Sequence, residues 1–380
     1  MPVISHLPLL RILYTLTFVW ALVASPAAAH EIQPSVADLT AEEGQVTLDI
    51  RMTLEAAVAG VDLQGLEDTD ASDRAEDYDA ARALDPAALE AALRAAWPDL
   101  STKLRVEADG APVALDIAGV EIPEVGEVDL PRFSTLSLAG TLPGGAETVT
   151  VGWTADLGDL VIRQIVDGEV GYTAYLSGGE RTDPVDVGQA TATDPVTVSV
   201  DYVGIGFEHI IPKGLDHILF VLGLFFLSAR LVPLLWQVTA FTLAHTVTLA
   251  LGILGLVNVP AEIVEPLIAA SIVYVGVENV LSRGLTPWRP VVVFLFGLLH
   301  GLGFASVLGD IGLDPGQFAI SLIGFNIGVE VGQLAVIAIA FAQVGYWFGG
   351  KDWYRARIAT PASLAIAAVG AYWAIERTLL

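Results

Sequence analysis

The sequence predicts a polytopic α-helical membrane domain of six spans, preceded by an exported, mainly-β, sandwich-like domain with a helical insertion. Three observations carry this. The 380 residues are 54% hydrophobic and 16% charged, with a mean hydropathy of +0.62, which excludes a disordered chain. The long apolar runs are confined to the second half, whereas the first half shows short, partly alternating runs broken by Gly and Pro. The charge divides in the same place. Residues 30–203 hold 34 acidic against 9 basic residues, and residues 204–380 hold 10 against 8.

Residues 1–29 read as a signal peptide: Arg11, an apolar core over Ile12 to Val23, and a small-residue exit at Ala27-x-Ala29. Cleavage there makes His30 the first residue of the mature chain. Residues 30–203 then form an acidic domain with strands in "GQVTLDIRMTL", "KLRVEADGAPVAL", "TLSLAGTLPG" and "ETVTVGWTADL". Their spacing favours an antiparallel sandwich. One helix is expected in "DPAALEAALRAAWPDL", with Asp85 as N-cap, Pro86 in the first turn and Pro98 as its stop. So acidic a surface repels nucleic acid and anionic lipid and gathers cations.

From Gly204 onward six hydrophobic segments are expected, at about 210–228, 232–256, 263–281, 291–309, 317–347 and 360–376. Arg230, then Arg283 and Arg289, then Lys351, Arg355 and Arg357 fall in alternate connections, and the other two connections have neither Lys nor Arg. The positive-inside rule puts the basic loops in the cytoplasm. The acidic domain is then periplasmic, as the signal peptide independently requires, the C-terminus is periplasmic too, and the chain sits in a bacterial inner membrane.

The apolar segments carry ionisable residues at a cost of about 2.5–3.5 kcal/mol each. They are Asp216 and His217 in the first, His245 in the second, Glu278 and Asn279 in the third, His300 in the fourth, and Asn326, Glu330 and Gln333 in the fifth. The sixth has only Glu376 and Arg377 near its end and reads as scaffold. Spread over five helices, such groups need a shared polar interior. Neutral imidazoles with carboxylates are what a divalent metal ion binds. His217, His245 and His300 are the expected neutral ligands, with Asp216 and Glu330 offsetting the ion's charge. Glu278, Asn279, Asn326, Gln333 and His209 form a secondary polar path. Glycines 297, 301 and 303, and 324, 328 and 332, allow close helix approach around these residues.

The chain has no Cys, and its Met residues are Met1 and Met52, which argues against a soft-ligand Cu(I) path. A divalent transition metal ion is expected, with Zn(II) and Cu(II) among the possibilities. No phosphate-binding GxxxxGK[ST] motif occurs, so transport would draw on gradients or an external partner. Two other readings fit the same residues: an intramembrane zinc-dependent hydrolase with three His ligands and a carboxylate base, or an accessory protein that binds metal without moving it. Two exported features could also meet cations. After cleavage, the amine and imidazole of His30, with Glu31 beside them, could chelate a metal. The stretch "LEDTDASDRAEDYD", residues 66–79, holds seven carboxylates but lacks an EF-hand's spacing and glycine, and reads as a solvated acidic loop.

The strings "GFEHIIPKGLDHILF", "FTLAHTVTLALG", "EPLIAASIVYVGVENV", "FLFGLLHGLGFA" and "GFNIGVEVGQL" together resemble the HupE/UreJ family of membrane proteins. The resemblance implies permeation of divalent nickel or cobalt and carries the family motif onto His209, Asp216 and His217. Short members begin with His-Pro-x-x-Gly-x-Asp-His. Here Pro212 lies three residues after His209, and the spacing to Asp216 is one residue longer. The large acidic domain marks this chain as a long form.

Overall fold

The computed structural model describes residues 33–379 except 43, 67–68, 127, 129–130, 192–193, 229, 283 and 312–316; side chains are described for all of these but 306–311 and 379. The expected signal peptide, His30 and Glu31 lie outside the described residues. Two compact units divide between Thr197 and Val198, the second built from residues 198–309 and 319–379.

Among its described residues the first unit holds ten strands: β1 (Ser35–Glu42), β2 (Gln45–Met52), β3 (Leu104–Ala108), β4 (Ala111–Pro112), β5 (Leu115–Glu121), β6 (Ser134–Thr141), β7 (Thr148–Trp153), β8 (Leu160–Val166), β9 (Glu169–Leu176) and β10 (Val185–Asp186). They form a six-stranded sheet in the order β5-β6-β2-β1-β8-β9 and a four-stranded sheet in the order β10-β7-β3-β4. Alternation drives the packing. Val46, Leu48, Ile50 and Met52 of β2 point inward and meet Val149, Val151 and Trp153 of the other sheet in one core.

One pairing departs from the antiparallel expectation: β1 runs parallel to β8, with Asp38 opposite Arg163. Arg163 clamps both Asp38 oxygens, at 2.6 and 2.8 Å, and this fixes the register. Hairpin signals report only sequential neighbours, so a partner 125 residues away leaves no trace in them.

The insertion holds three helices rather than one: α1 (Leu54–Ala59), α2 (Ala75–Arg82) and α3 (Pro86–Leu100). Asp85 caps α3 by accepting from the Ala88 N–H at 2.8 Å. Pro98 does not stop it. The helix continues through its last turn to Leu100, while Leu89 and Leu93 anchor it in the sandwich core. The acidic stretch is partly helical, since α2 covers Ala75 to Asp79 and buries Tyr78, whose hydroxyl is pushed up to about 12 by burial and the Glu55 charge. Glu55 itself is buried in α1 and accepts from Arg132 at 2.7 Å, with Arg82 at 3.5 Å.

The second unit is helical: α4 (Pro195–Ile210), α5 (Leu215–Leu227), α6 (Leu231–Ile253), α7 (Ala261–Leu281), α8 (Arg289–Ile311), α9 (Phe318–Ala340) and α10 (Thr360–Leu379). A π-helical turn extends α9 to Phe348, and another begins the α10 segment at Arg355. Four of these segments are long and apolar enough to cross a membrane, or five if α4 and α5, bent by 73°, count as one broken span. Over Arg289–Ala305 α8 is apolar but shorter.

The sequence places the first apolar segment at about residue 210, yet α4 is already helical from Pro195. Its valines at 196, 198 and 200 carry no helical signal. What holds α4 is the glycine stripe of α9. A methyl group on Gly328 would strike the Val203 carbonyl, and one on Gly332 would lie 2.7 Å from Ile210 Cβ. The stripe thus serves a helix that composition does not reveal. At the other side α10 lies against α7, where Gly276 lets the two backbones meet.

Candidate metal centre

Five side chains from four helices converge. His209 lies in the last turn of α4, Asp216 and His217 in the first turn of α5 beyond the bend, His245 midway along α6 and His300 midway along α8. Glycine sets the α6–α8 distance. A side chain at Gly301 would collide with the His245 carbonyl and the Thr248 hydroxyl, and one at Gly297 would lie 2.5 Å from the Phe241 carbonyl. The missing methyls bring His300 next to α6, while the α9 stripe, through α4, delivers His209.

His217 is the hub. Its ring centroid lies 4.8 Å from His209, 5.8 Å from His245 and 4.7 Å from His300, and His209 lies 6.0 Å from His245. His217, His245 and His300 are no more than 2% exposed. Aromatic rings wall them in: Phe304 is 4.1 Å from His209, Phe241 is 5.0 Å from His300, and Phe220 is 5.4 Å from His300. Such walls lower the local dielectric and strengthen any charge held inside.

Each of three rings is held from behind, and the partner assigns its tautomer. The carboxylate Oδ1 of Asp216 accepts from the backbone N–H of His217 at 2.7 Å and from its Nδ1 at 2.9 Å. Asn326 donates its amide to the Leu322 carbonyl, which turns its Oδ1 towards His245 Nδ1 at 3.1 Å. Ser271 on α7 donates its hydroxyl proton to the Ile268 carbonyl at 2.7 Å, so towards His300 Nε2, at 3.2 Å, it can only accept. The protons therefore sit on the rear nitrogens. The lone pairs of His217 Nε2, His245 Nε2 and His300 Nδ1 face the chamber. These three atoms, and His209 Nε2, are buried without a hydrogen-bond partner.

An orphaned buried nitrogen is costly. Four in one chamber, three of them oriented as lone pairs, are the donor set of a borderline metal ion. The ligand atoms of His209, His217 and His245 lie within 4.8 Å of one another, as do those of Asp216, His217 and His300.

The other polar residues singled out from the sequence lie elsewhere. Glu330 is not among the grouped ligand atoms; it accepts from Thr239 on α6 at 2.7 Å. Gln333 accepts from Thr242 at 3.3 Å, and with His245–Asn326 these pairs make a polar seam between α6 and α9. Glu278 accepts from Arg289 at 2.6 Å. Asn279 donates to the Gly223 carbonyl at 2.7 Å and to Ser363 at 3.0 Å, tying α5, α7 and α10 together. Asn326 acts from behind His245. Ser271 and the phenylalanine walls were not singled out, since a serine or a phenylalanine in an apolar helix carries no distinguishing spacing. Arg289 was noticed only as a loop charge.

Apolar helices that bring four histidines and an aspartate together, in a chain that also holds a separate mainly-β unit, define a class of helical proteins with a buried polar centre among apolar segments. The family described as HupE / UreJ protein matches residues 187–377, which includes α4 to α9 and nearly all of α10. The chain belongs to that family. No curated protein and no solved structure matches it.

Proposed function

We propose that the chain is an inner-membrane permease for a divalent transition metal ion, nickel or cobalt first, with the ion as substrate in the histidine chamber. The observation that carries this is the set of four buried histidine nitrogens without partners, three with their protons held on the opposite side of the ring. HupE/UreJ membership supports the metal and the membrane setting. Counting the bent α4–α5 pair as one span and α8 as another gives six crossings. The basic loops then lie in the cytoplasm, and the acidic unit is periplasmic, where its charge concentrates cations. His209, His217, His245, His300 and Asp216 hold the ion. The α6–α9 seam of Thr242, Gln333, Thr239 and Glu330 runs from the chamber towards the cytoplasmic end of α6, and Glu330 serves there as an exit group. The N-terminal His30 and Glu31 are a capture site for incoming metal.

A hydrolase built on the same histidines needs a carboxylate free to activate water. The carboxylate in the chamber, Asp216, has Oδ1 on His217 at 2.9 Å and Oδ2 3.9 Å from His300 Nδ1, so it stands among the ligand atoms rather than apart from them as a base, which favours binding and passage over hydrolysis. Uptake of Ni(II), Co(II), Zn(II) and Cu(II) into liposomes holding the purified protein tests the proposal, with His217→Ala and His300→Ala as controls. Uptake lost in both variants is expected. A tightly held, slowly exchanging Zn(II) with no uptake overturns it in favour of the hydrolase or a non-transporting accessory protein.

A further inference from the structure

Two trios of ligand atoms, not one quartet, occupy the chamber, and both use His217. The first is His209, His217 and His245; the second is Asp216, His217 and His300. A tetrahedral metal centre with bonds of about 2.0–2.3 Å needs ligand atoms roughly 3.3–3.7 Å apart. Atoms within 4.8 Å of one another reach that separation through small side-chain movements. The hub has a single lone pair to give. His217 Nδ1 is tied to Asp216 Oδ1, which leaves Nε2. The other oxygen, Asp216 Oδ2, lies 3.9 Å from His300 Nδ1, itself an orphan. In access the trios are alike, each with one half-buried member, His209 or Asp216, beside two buried histidines, but they differ in what lies behind them: His245 is held by Asn326, the first pair of the α6–α9 seam.

We infer that the chamber holds two mutually exclusive ion positions that share His217 as a pivot ligand, so that an ion passes from one to the other without leaving histidine coordination. The inference rests on the metal-permease reading. The position at Asp216 and His300 receives the ion. The position at His209 and His245, which adjoins the α6–α9 seam through Asn326, takes it on as the His217 ring swings. Because His217 offers one lone pair, only one position fills at a time. Ligand exchange through a shared donor avoids a bare ion between stations, which in a low-dielectric interior is the most costly state of all. Sites that must release what they bind gain from being several and individually incomplete.

The test uses the full-length protein in detergent with Co(II) as probe, whose visible absorption reports its ligands. The wild type should bind one Co(II). His300→Ala and His245→Ala should each still bind one, at affinities down roughly 10- to 100-fold and with absorption bands that differ from each other. Both should lose at least tenfold in liposome uptake. His217→Ala, or His217→Gln should the alanine variant fail to fold, should bind none, with gel filtration and thermal melting reporting the fold. The pivot is overturned if His300→Ala or His245→Ala abolishes binding as fully as His217→Ala, if either keeps wild-type uptake, or if the wild type binds two ions together. A wild type that binds no Co(II), Ni(II), Zn(II) or Cu(II) instead sinks the metal-permease reading beneath it.

Discussion

The helical unit contains two buried polar clusters built to opposite ends. In one, Arg289 is 2% exposed and spends all three guanidinium nitrogens: on Gln237 at 2.8 Å, Glu278 at 2.6 Å and Asn279 at 3.5 Å. Asn279 passes the connection to Gly223 and Ser363, and Arg355 donates to the carbonyls of Asn279, Val280 and Ser282 at the end of α7. Donors and acceptors meet, and α5, α6, α7, α8 and α10 are fastened. In the other cluster, four imidazoles face one another and no donor answers their inward nitrogens. The first is spent on cohesion, and the second leaves open the lone pairs that the proposed function assigns to a cation. A buried ionisable residue in an apolar helix is therefore not by itself a ligand; the state of its partners distinguishes the two uses.

Breaking the first cluster should have the largest effect. Arg289→Ala leaves the half-hidden Glu278 carboxylate without its partner, and should lower unfolding stability by about 3–5 kcal/mol, read as a drop in melting temperature. Metal affinity of the protein that remains folded should hold. Breaking the second should do the reverse. His217→Ala should abolish Ni(II) or Co(II) binding, measured by equilibrium dialysis, since losses behind a ligand alone already cost about 10- to 100-fold. Its stability should fall by less than that of Arg289→Ala, by about 1–3 kcal/mol, for the hydrogen bond that Asp216 loses.

Two smaller changes sharpen the contrast. Asn326→Ala and Ser271→Ala should each cost about tenfold in affinity, because His245 and His300 then turn or change tautomer. Ser271→Thr should restore most of it, and ring ¹⁵N shifts in metal-free protein should show His300 protonated on Nε2 in the wild type but not in Ser271→Ala. Glu330→Gln should change affinity by no more than about twofold, as a site separate from the chamber does, while slowing uptake. A tenfold loss of affinity in Glu330→Gln would return that carboxylate to the ligand set.

The apolar segments and the histidines in them were legible because a charged or polar group stands out against an apolar run. Their grouping was legible only as an inference from cost. What the sequence could not show is side-chain direction across helices. Glu330 and His245 have similar depth along their helices, yet one reaches Thr239 and the other the chamber. His209 stands one residue further from Asp216 than the short-member motif has it, yet across the bend between α4 and α5 its ring lies 4.8 Å from that of His217. Ser271 matters through a hydrogen bond between helices, and composition says nothing about that. In the first unit, alternation revealed the strands, while the parallel β1–β8 pair and the two extra helices depend on contacts remote in sequence.

The bend has one more consequence, which is a matter of charge balance. Four neutral imidazoles and one carboxylate give the chamber a formal charge of minus one, so a divalent ion is left under-neutralised by one unit. The break between Ile210 and Leu215 turns two helix ends towards this excess. His209 rides on the carbonyl end of α4, worth roughly half a negative charge, and Asp216 sits at the amide end of α5, where the opposite half-charge already stabilises it. On the permease reading, the carbonyl end of α4 would draw a bound ion with partial charge that cannot be protonated, and the amide end of α5 would offset that pull. A centre balanced in this way would bind firmly enough to select and loosely enough to let go.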